Sequence, residues 1–322
     1  MKKIKLALWG DNGHQIHNDL ELYPEFELVV IGSIAESAER DLLKKYSEAK
    51  LENDYEKMIH DYGVEMISLC SEYRSEQADL AVRALDKGIH VYAEKPCALS
   101  EKDLDRIIAS AAKSKAIFHE MAGTLWEEPY WSMRKIVQSG QIGEVVQVLA
   151  QKSYPYADWR PRNEKVDGGL VAQVGVHAVR FVEHVAEQKI KDIHCQTSTL
   201  GEVRKNSELK MAANFSGRLE NGGLYSCIAN YLHNPGMGSW GNEMLRIFGT
   251  KGMIESCDAG RRTRMIIGDK DFGDLDLSDE KPDFLAEFIK EICEGRKMLL
   301  SLEEELSPTR WMIRAKFFNK IT

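Results

Sequence analysis

The sequence predicts an α/β protein in which a doubly wound parallel sheet is followed by an α+β domain with a large, mostly antiparallel open sheet. Short apolar runs alternate with helical patterns through the first third of the chain, and such alternation builds a parallel sheet with right-handed crossovers. Beyond residue 121 apolar runs follow one another without intervening helices, the pattern of an antiparallel sheet with helices on one face. A chain of 322 residues is also more than one compact core holds comfortably. The change of texture divides it into expected domains 1–121 and 122–322.

The first strand is residues 4–9, an apolar run that stops at Gly10-Asp11-Asn12-Gly13. Further strands are expected at 27–31 (ELVVI), 66–70 (MISLC), 90–93 and 116–119. Residues 75–87 carry Leu80, Ala81, Ala84 and Leu85 at helical spacing, and Gly88 closes that helix. In the second domain a helix over 129–138 leads through Gly140 and Gly143 to a strand at 145–152, then to a helix over 169–185. Strands at 210–215, 224–231 and 244–248 follow, with closing helices at 283–294 and about 308–319. The last helix is expected to pack back on the first domain, and the free sheet face to form a homodimer or homotetramer interface.

Composition removes several function classes. Hydrophobic residues at 43% and charged residues at 29% describe an ordinary globular protein. A net charge of −8 offers no basic stripe for nucleic acid. The cluster Arg261-Arg262-Thr263-Arg264 has acidic neighbours and reads as a solvated turn. The N-terminal lysines run into a turn rather than a signal-peptide core, and no run approaches the roughly 20 apolar residues of a membrane span. A cytoplasmic protein with no membrane partner is expected. None of the six cysteines forms a CxxC pair, so reduced thiols are expected. The nine histidines are scattered, and no metal site is expected.

A parallel sheet binds ligands beyond the carboxyl ends of its strands. The turns after Trp9, Ile31, Cys70 and Ala93 therefore share one edge. The first reads Gly10-Asp11-Asn12-Gly13-His14. Gly10 fits the opening position of a dinucleotide phosphate turn, Asn12 holds its middle position, and a following helix would point its N-terminus at the phosphates. Gly10, Asn12, Gly13 and His14 are thus candidate cofactor contacts, with Ser71 and Glu72 after the third strand and Glu94, Lys95 and Pro96 after the fourth. Ser33 stands where an acidic residue would grip the ribose of NAD. With Arg40 nearby the pattern leans toward NADP, although Arg40 also reads as a plain exposed helix residue.

Residues 75–96 read SEQADLAVRALDKGIHVYAEKP. On Gly88, His90, Val91, Glu94, Lys95 and Pro96, continuing into Ala98-Leu99-Ser100, the chain closely resembles the glucose–fructose oxidoreductase and inositol dehydrogenase (Gfo/Idh/MocA) family. Ser139 to Val145, the Gly168-Gly169-Leu170 run with Gly175 and His177, and Ile247 to Glu255 resemble later signatures of that family. The resemblance implies a Rossmann domain, a nicotinamide cofactor and a small-molecule substrate. It makes Lys95 the residue that hydrogen-bonds the reacting oxygen and His177 the acid–base partner. Gln173 stands where the family usually has aspartate, and Arg180 where an acid is common. Gln173 cannot act as a base but can orient a hydroxyl. Glu72-Tyr73-Arg74 replaces the frequent Thr-Pro-Asn, and Gln77 a frequent histidine. The segment Tyr154-Pro155-Tyr156-Ala157-Asp158-Trp159-Arg160 borders the substrate cleft in the family. There Tyr154 and Trp159 could stack on a sugar ring, and Arg160 could hold an anionic group. The expected activity is NAD(P)-dependent hydride transfer to or from a sugar, polyol or cyclitol; the alternative is a non-catalytic, cofactor-binding sensor on the same fold.

Overall fold

The computed structural model describes residues 3–318 apart from 122, 206, 208 and 279. The chain divides into two compact units. Unit 1 holds residues 1–121, 165–167 and 284–306; unit 2 holds 122–164, 168–283 and 307–322.

Unit 1 runs β1 (Ile4–Trp9), β2 (Phe26–Gly32), α1 (Glu36–Lys45), β3 (Lys50–Leu51), α2 (Tyr55–Asp61), β4 (Met66–Leu69), α3 (Arg74–Asp86), β5 (His90–Ala93), α4 (Glu101–Ser114) and β6 (Phe118–Glu120). These strands form a six-stranded parallel sheet in the order β3-β2-β1-β4-β5-β6. The central strands are buried on both faces, β4 along its whole length, which is why their sequences are continuous apolar runs. Helix starts are written locally. Asp54 accepts from the amides of Glu56 and Lys57, and Ser100 from that of Asp103. Gly88, at φ 79°, follows α3 in the left-handed conformation expected of a helix stop.

One element differs from expectation. No α-helix follows the glycine turn; two single 3-10 turns, Ile16–Asn18 and Leu20–Leu22, take its place. The buried Gln15 side chain is the reason. Its amide donates to the carbonyls of Gly10 (2.8 Å) and Ser68 (3.2 Å), and its oxygen accepts from the Ile16 amide. The chain is pulled onto the sheet edge instead of coiling away from it.

In unit 2, α5 (Tyr130–Gln138) precedes β7 (Val145–Ser153). A short helix, α6 (Glu164–Asp167), has its residues 165–167 in unit 1, and unit 2 resumes with α7 (Gly169–Gln173), α8 (Gly175–Arg180) and a π-turn, Phe181–Val185. The single helix expected over 169–185 is broken at Val174. Gly175 sits so close to the sheet that a Cβ would lie 2.7 Å from Phe215 Cζ and 2.8 Å from Met312 Sδ. The remaining strands are β8 (His194–Ser198), β9 (Ala212–Arg218), β10 (Leu224–Asn230), β11 (Asn242–Gly249), β12 (Gly252–Cys257), β13 (Arg262–Ile267) and β14 (Lys270–Asp274). They complete an eight-stranded sheet, β14-β13-β12-β11-β7-β10-β9-β8, antiparallel except for the β7–β10 pair. β10 alternates exposed Leu224, Ser226 and Ile228 with buried Tyr225, Cys227 and Ala229, the signature of a sheet covered on one face.

The arginine cluster at 261–264 is a solvated turn only at Arg261, which is exposed and completes the turn of Asp258, Ala259 and Gly260 at φ 54°, 56° and 84°; residues 262–264 belong to β13. Arg262 and Arg264 are the outward positions of β13, and Arg264 pairs with Glu255 at 2.7 Å.

Two helices close the chain, α9 (Phe284–Glu294) and α10 (Leu302–Phe318). α10 starts earlier than expected and contains Pro308. Its cap is Ser301, whose hydroxyl accepts from the Glu304 amide (3.3 Å) while Glu304 accepts from the Ser301 amide (2.9 Å), a capping box. Residue 319, where this helix was expected to end, lies outside the described residues. Within unit 1, α9 and residues 302–306 close over β6. Buried His119 bonds Glu305 through Nδ1 (2.6 Å) and Glu291 through Nε2 (2.9 Å), and Phe288 packs edge-on against its ring.

Candidate active site

The candidate residues fall into two groups, one in each unit. In unit 1 the carboxyl ends of the parallel strands gather the turns that contain Gly10, Ser33, Ser71 and Glu94, as the topology requires. Gly10 has φ 73°, and a Cβ on it would lie 2.0 Å from the Cys70 carbonyl oxygen. Only glycine permits that approach of the first turn to the third. Asn12 then ties the turn down, its side-chain amide donating to the carbonyls of Glu72 (2.8 Å) and Val166 (3.1 Å). Ser33 is left-handed at φ 55°, and its amide donates to Asn53 Oδ1 at 2.8 Å. Asp11 Oδ2 accepts from the Ala35 amide at 2.8 Å, which places a carboxylate beside the end of β2. Arg40 is exposed and lies 3.7 Å from Glu36 on its own helix.

Glu94, Lys95 and Pro96 follow β5, and the Lys95–Pro96 peptide is cis. Glu94 is 1% and Lys95 2% exposed. The Glu94 carboxylate accepts from the amides of Lys95 (3.0 Å) and His14 and meets His14 Nδ1 at 2.8 Å. It packs over Gly13, where a Cβ would come within 2.5 Å of it. Burial pushes this carboxyl up, but the His14 hydrogen bond and the charges of His14, Lys95 and Arg74 outweigh burial and leave it at about 2. Glu94 is therefore an anion that locks the glycine turn onto the Lys95 turn. Ser71 bonds Gln77 and the Tyr73 carbonyl through its hydroxyl, and Glu72 contributes its carbonyl to Asn12 with its side chain exposed.

Arg74 and Gln77 were seen in the sequence only as departures from a pattern. In the structure both are buried and bonded to the carbonyls of these turns. Their signal was the placement of two long polar side chains at the start of a helix that follows a fully buried strand.

In unit 2, Gln173 and His177 are the half-exposed positions in a stretch of α7 and α8 that is otherwise buried. They stand four residues apart on one face despite the break between the helices. His177 Nδ1 lies 3.2 Å from the Thr124 hydroxyl, and Tyr154 meets the ring edge-on with centroids 6.3 Å apart. Gln173 Oε1 accepts from the buried Tyr231 hydroxyl at 3.2 Å. Thr124 and Tyr231 escaped sequence reading because nothing local marks them.

The aromatic segment divides. Tyr154 is buried beside His177, whereas Trp159 is 68% exposed. Arg160 is 3% exposed; its guanidinium donates to the Pro155 carbonyl at 3.0 and 2.8 Å and lies 3.9 Å over the Tyr231 ring. Those bonds build the loop. Arg180 is fully buried in α8.

The turns of unit 1 fit a dinucleotide: a glycine at the close approach, strand ends on one edge, and a left-handed serine after the second strand. Comparisons with known proteins agree. Residues 10–121 match the oxidoreductase family model described as an NAD-binding Rossmann fold, and residues 130–255 match the GFO/IDH/MocA C-terminal domain model. A myo-inositol 2-dehydrogenase of Thermotoga maritima is 22% identical over 258 residues, covering 78% of this chain and 74% of the relative. A solved structure from Thermotoga maritima superposes with a TM-score of 0.86 at 23% identity, covering 98% of both chains. That of GenD2 from gentamicin A biosynthesis, in complex with NAD, does so at 0.81 and 15% identity, covering 99% of this chain and 95% of the other.

Proposed function

This chain belongs to the Gfo/Idh/MocA oxidoreductase family, and from that premise we propose that it transfers hydride between a nicotinamide dinucleotide and a hydroxyl-bearing carbon of a cyclitol, sugar or other polyol. The observation that carries this reading is Lys95. It is a buried lysine at the carboxyl end of a central parallel strand, on a turn locked by Glu94 to the glycine turn. A nicotinamide, when bound, supplies or accepts the hydride. Gly10, Asn12, Gly13 and His14 hold the phosphate side, Ser33 the ribose end, and Ser71, Glu72, Glu94 and Pro96 the remaining strand ends. The Lys95 ammonium hydrogen-bonds the reacting oxygen and stabilises alkoxide character there. His177 takes the hydroxyl proton in oxidation or returns it in reduction, its ring set by Thr124. Gln173, oriented by Tyr231, holds a neighbouring hydroxyl; Tyr154 walls the ring, and Trp159 and Arg160 border the same site.

NAD is favoured over the NADP that Ser33 and Arg40 suggest by themselves. The Asp11 carboxylate, which accepts from the Ala35 amide just past β2, would repel a 2′-phosphate there. Domains 1–121 and 122–322 carry the cofactor residues and the substrate residues respectively. The exposed apolar residues Val146, Leu224 and Ile228 on the open sheet face support a homo-oligomer. Among the described residues no helix is long and apolar enough to cross a membrane. The cysteines are free thiols, which fits the cytoplasm.

The test is a screen of purified protein with NAD+ and NADP+ against cyclitols, sugars and acyclic polyols, following the absorbance of the reduced nicotinamide. Turnover with NAD+ that disappears in Lys95→Ala is expected. Equal rates in the two proteins would overturn the assignment of Lys95.

A further inference from the structure

We propose that Arg74 is a positioning residue: its buried guanidinium fixes the Lys95 peptide to the nucleotide turn, so that the lysine and the turn at Asn12 are held as one piece. The proposal rests on the reading of Lys95 above.

Arg74 opens α3 and is 3% exposed. Its donors go to carbonyls of separate turns: Ser71 after β4 (2.7 Å), Lys95 after β5 (3.4 Å) and Asn12 after β1. Gln77, one helical turn on, closes the other side. Its amide donates to the carbonyls of Glu94 and Pro96 (3.3 Å to the latter), and its oxygen accepts from the Ser71 amide (3.3 Å) and hydroxyl (3.1 Å). The carbonyls of residues 94, 95 and 96 therefore each meet a side chain from α3.

A buried cation is tolerable only with compensation. Burial lowers the guanidinium pKa, and the charges of Glu94 and Asp167 oppose that change. A rigid planar fork can bond several carbonyls at fixed angles; lysine has one ammonium on a flexible stem. The two departures from the family pattern at 74 and 77 are thus one assembly. Arg74 spends its donors inside the protein, which separates its role from that of a phosphate ligand.

The test uses the full chain as wild type, Arg74→Met and Arg74→Lys. Exposure of the Lys95 amine is read by labelling with an amine-reactive ester and peptide mass spectrometry, which needs no substrate. Labelling of Lys95 in Arg74→Met is expected to rise about tenfold or more relative to Lys152, a lysine of the other unit whose side chain is 13% exposed. Arg74→Lys is expected to recover only part of the protection. With the polyol identified by the screen, kcat should fall about tenfold or more, and KM for the dinucleotide should rise as well because Arg74 also holds the Asn12 carbonyl. Unchanged Lys95 labelling in folded Arg74→Met overturns the proposal. So does a parallel rise at Lys152, which marks general loosening. Should Arg74→Met fail to fold, wild-type labelling in Arg74→Lys overturns it instead. Lys95→Ala separates the two claims: wild-type turnover there removes the catalytic reading, while a dead Lys95→Ala with unaffected Arg74 variants removes only the positioning role.

Discussion

The candidate residues of unit 1 and those of unit 2 are held in opposite ways. In unit 1, turns that the parallel topology brings to one edge are fastened by buried charge, Glu94 on His14 and Arg74 on backbone carbonyls. In unit 2, side chains from distant segments meet around a helix face, Thr124, Tyr154 and Tyr231 around Gln173 and His177, with the Arg160 guanidinium over the Tyr231 ring and on the Pro155 carbonyl of its own loop. The first arrangement is stiff and holds a lysine in place; the second is a set of single hydrogen bonds and ring contacts that can be retuned one residue at a time. Chemistry is thus expected to fail steeply when unit 1 is altered, and substrate preference to drift when unit 2 is.

The largest effect should come from Lys95→Ala. Removing one donor to a developing oxyanion costs roughly 10²–10³-fold in kcat, measured in the polyol assay; a loss below tenfold would erase the contrast between the halves. Next is the charged clasp of unit 1. Burial alone would lower the His119 pKa, but Glu305 and Glu291 raise it to about 9. A group raised in the folded state contributes in full below its unfolded value, near 6.5, and that contribution is lost as pH rises toward 9. The loss is on the order of 3 kcal/mol. Urea denaturation at pH 6 and pH 9 should show it, and His119→Gln should reduce the difference, leaving the smaller part that comes from buried Glu183, which burial raises to about 7.

Two glycines sharpen the contrast in packing. Gly10→Ala drives a Cβ into the Cys70 carbonyl at a positive φ, and about 2–3 kcal/mol of destabilisation is expected. Gly175→Ala meets the ends of the Phe215 and Met312 side chains instead, and about 1–2 kcal/mol is expected. Thermal melts of both variants give the comparison, and a reversed order would contradict it. Smallest is Tyr231→Phe, which leaves Gln173 without the phenol. A loss of about 1 kcal/mol, felt in substrate KM rather than kcat, should appear in steady-state kinetics.

Unit 1 was legible because its signals are local. A strand, a glycine turn, a helix with its stop and Glu-Lys-Pro stand close together in sequence, and the sheet rule then assigns them to one edge. Reading failed there at two places: Gln15 replaced the expected helix with 3-10 turns, and Arg74 and Gln77 bond carbonyls of turns far from them in sequence. In unit 2 the helix bearing Gln173 and His177 was legible, and their partners were not. Tyr231 lies 58 residues from Gln173, and Thr124 lies 53 from His177, and no local pattern encodes such pairs. β13 and β14 went unread as strands because their outward positions are charged or polar, as at Arg262 and Arg264, and β14 is exposed along its length. The early start of α10 is written in the Ser301–Glu304 capping box, although Pro308 by itself reads as a first helical residue.

The carboxylates that grip His119 come from residues 291 and 305, yet they belong to the same unit as residues 1–121. On the ribosome, the strand that carries His119 emerges long before its partners are translated. Until then the imidazole and the β6 strand edge lack the Phe284 and Phe288 rings as well as the two carboxylates. The unit made first in sequence is finished late, and a chain cut after residue 121 would lose this closure even though all six strands of its sheet were present.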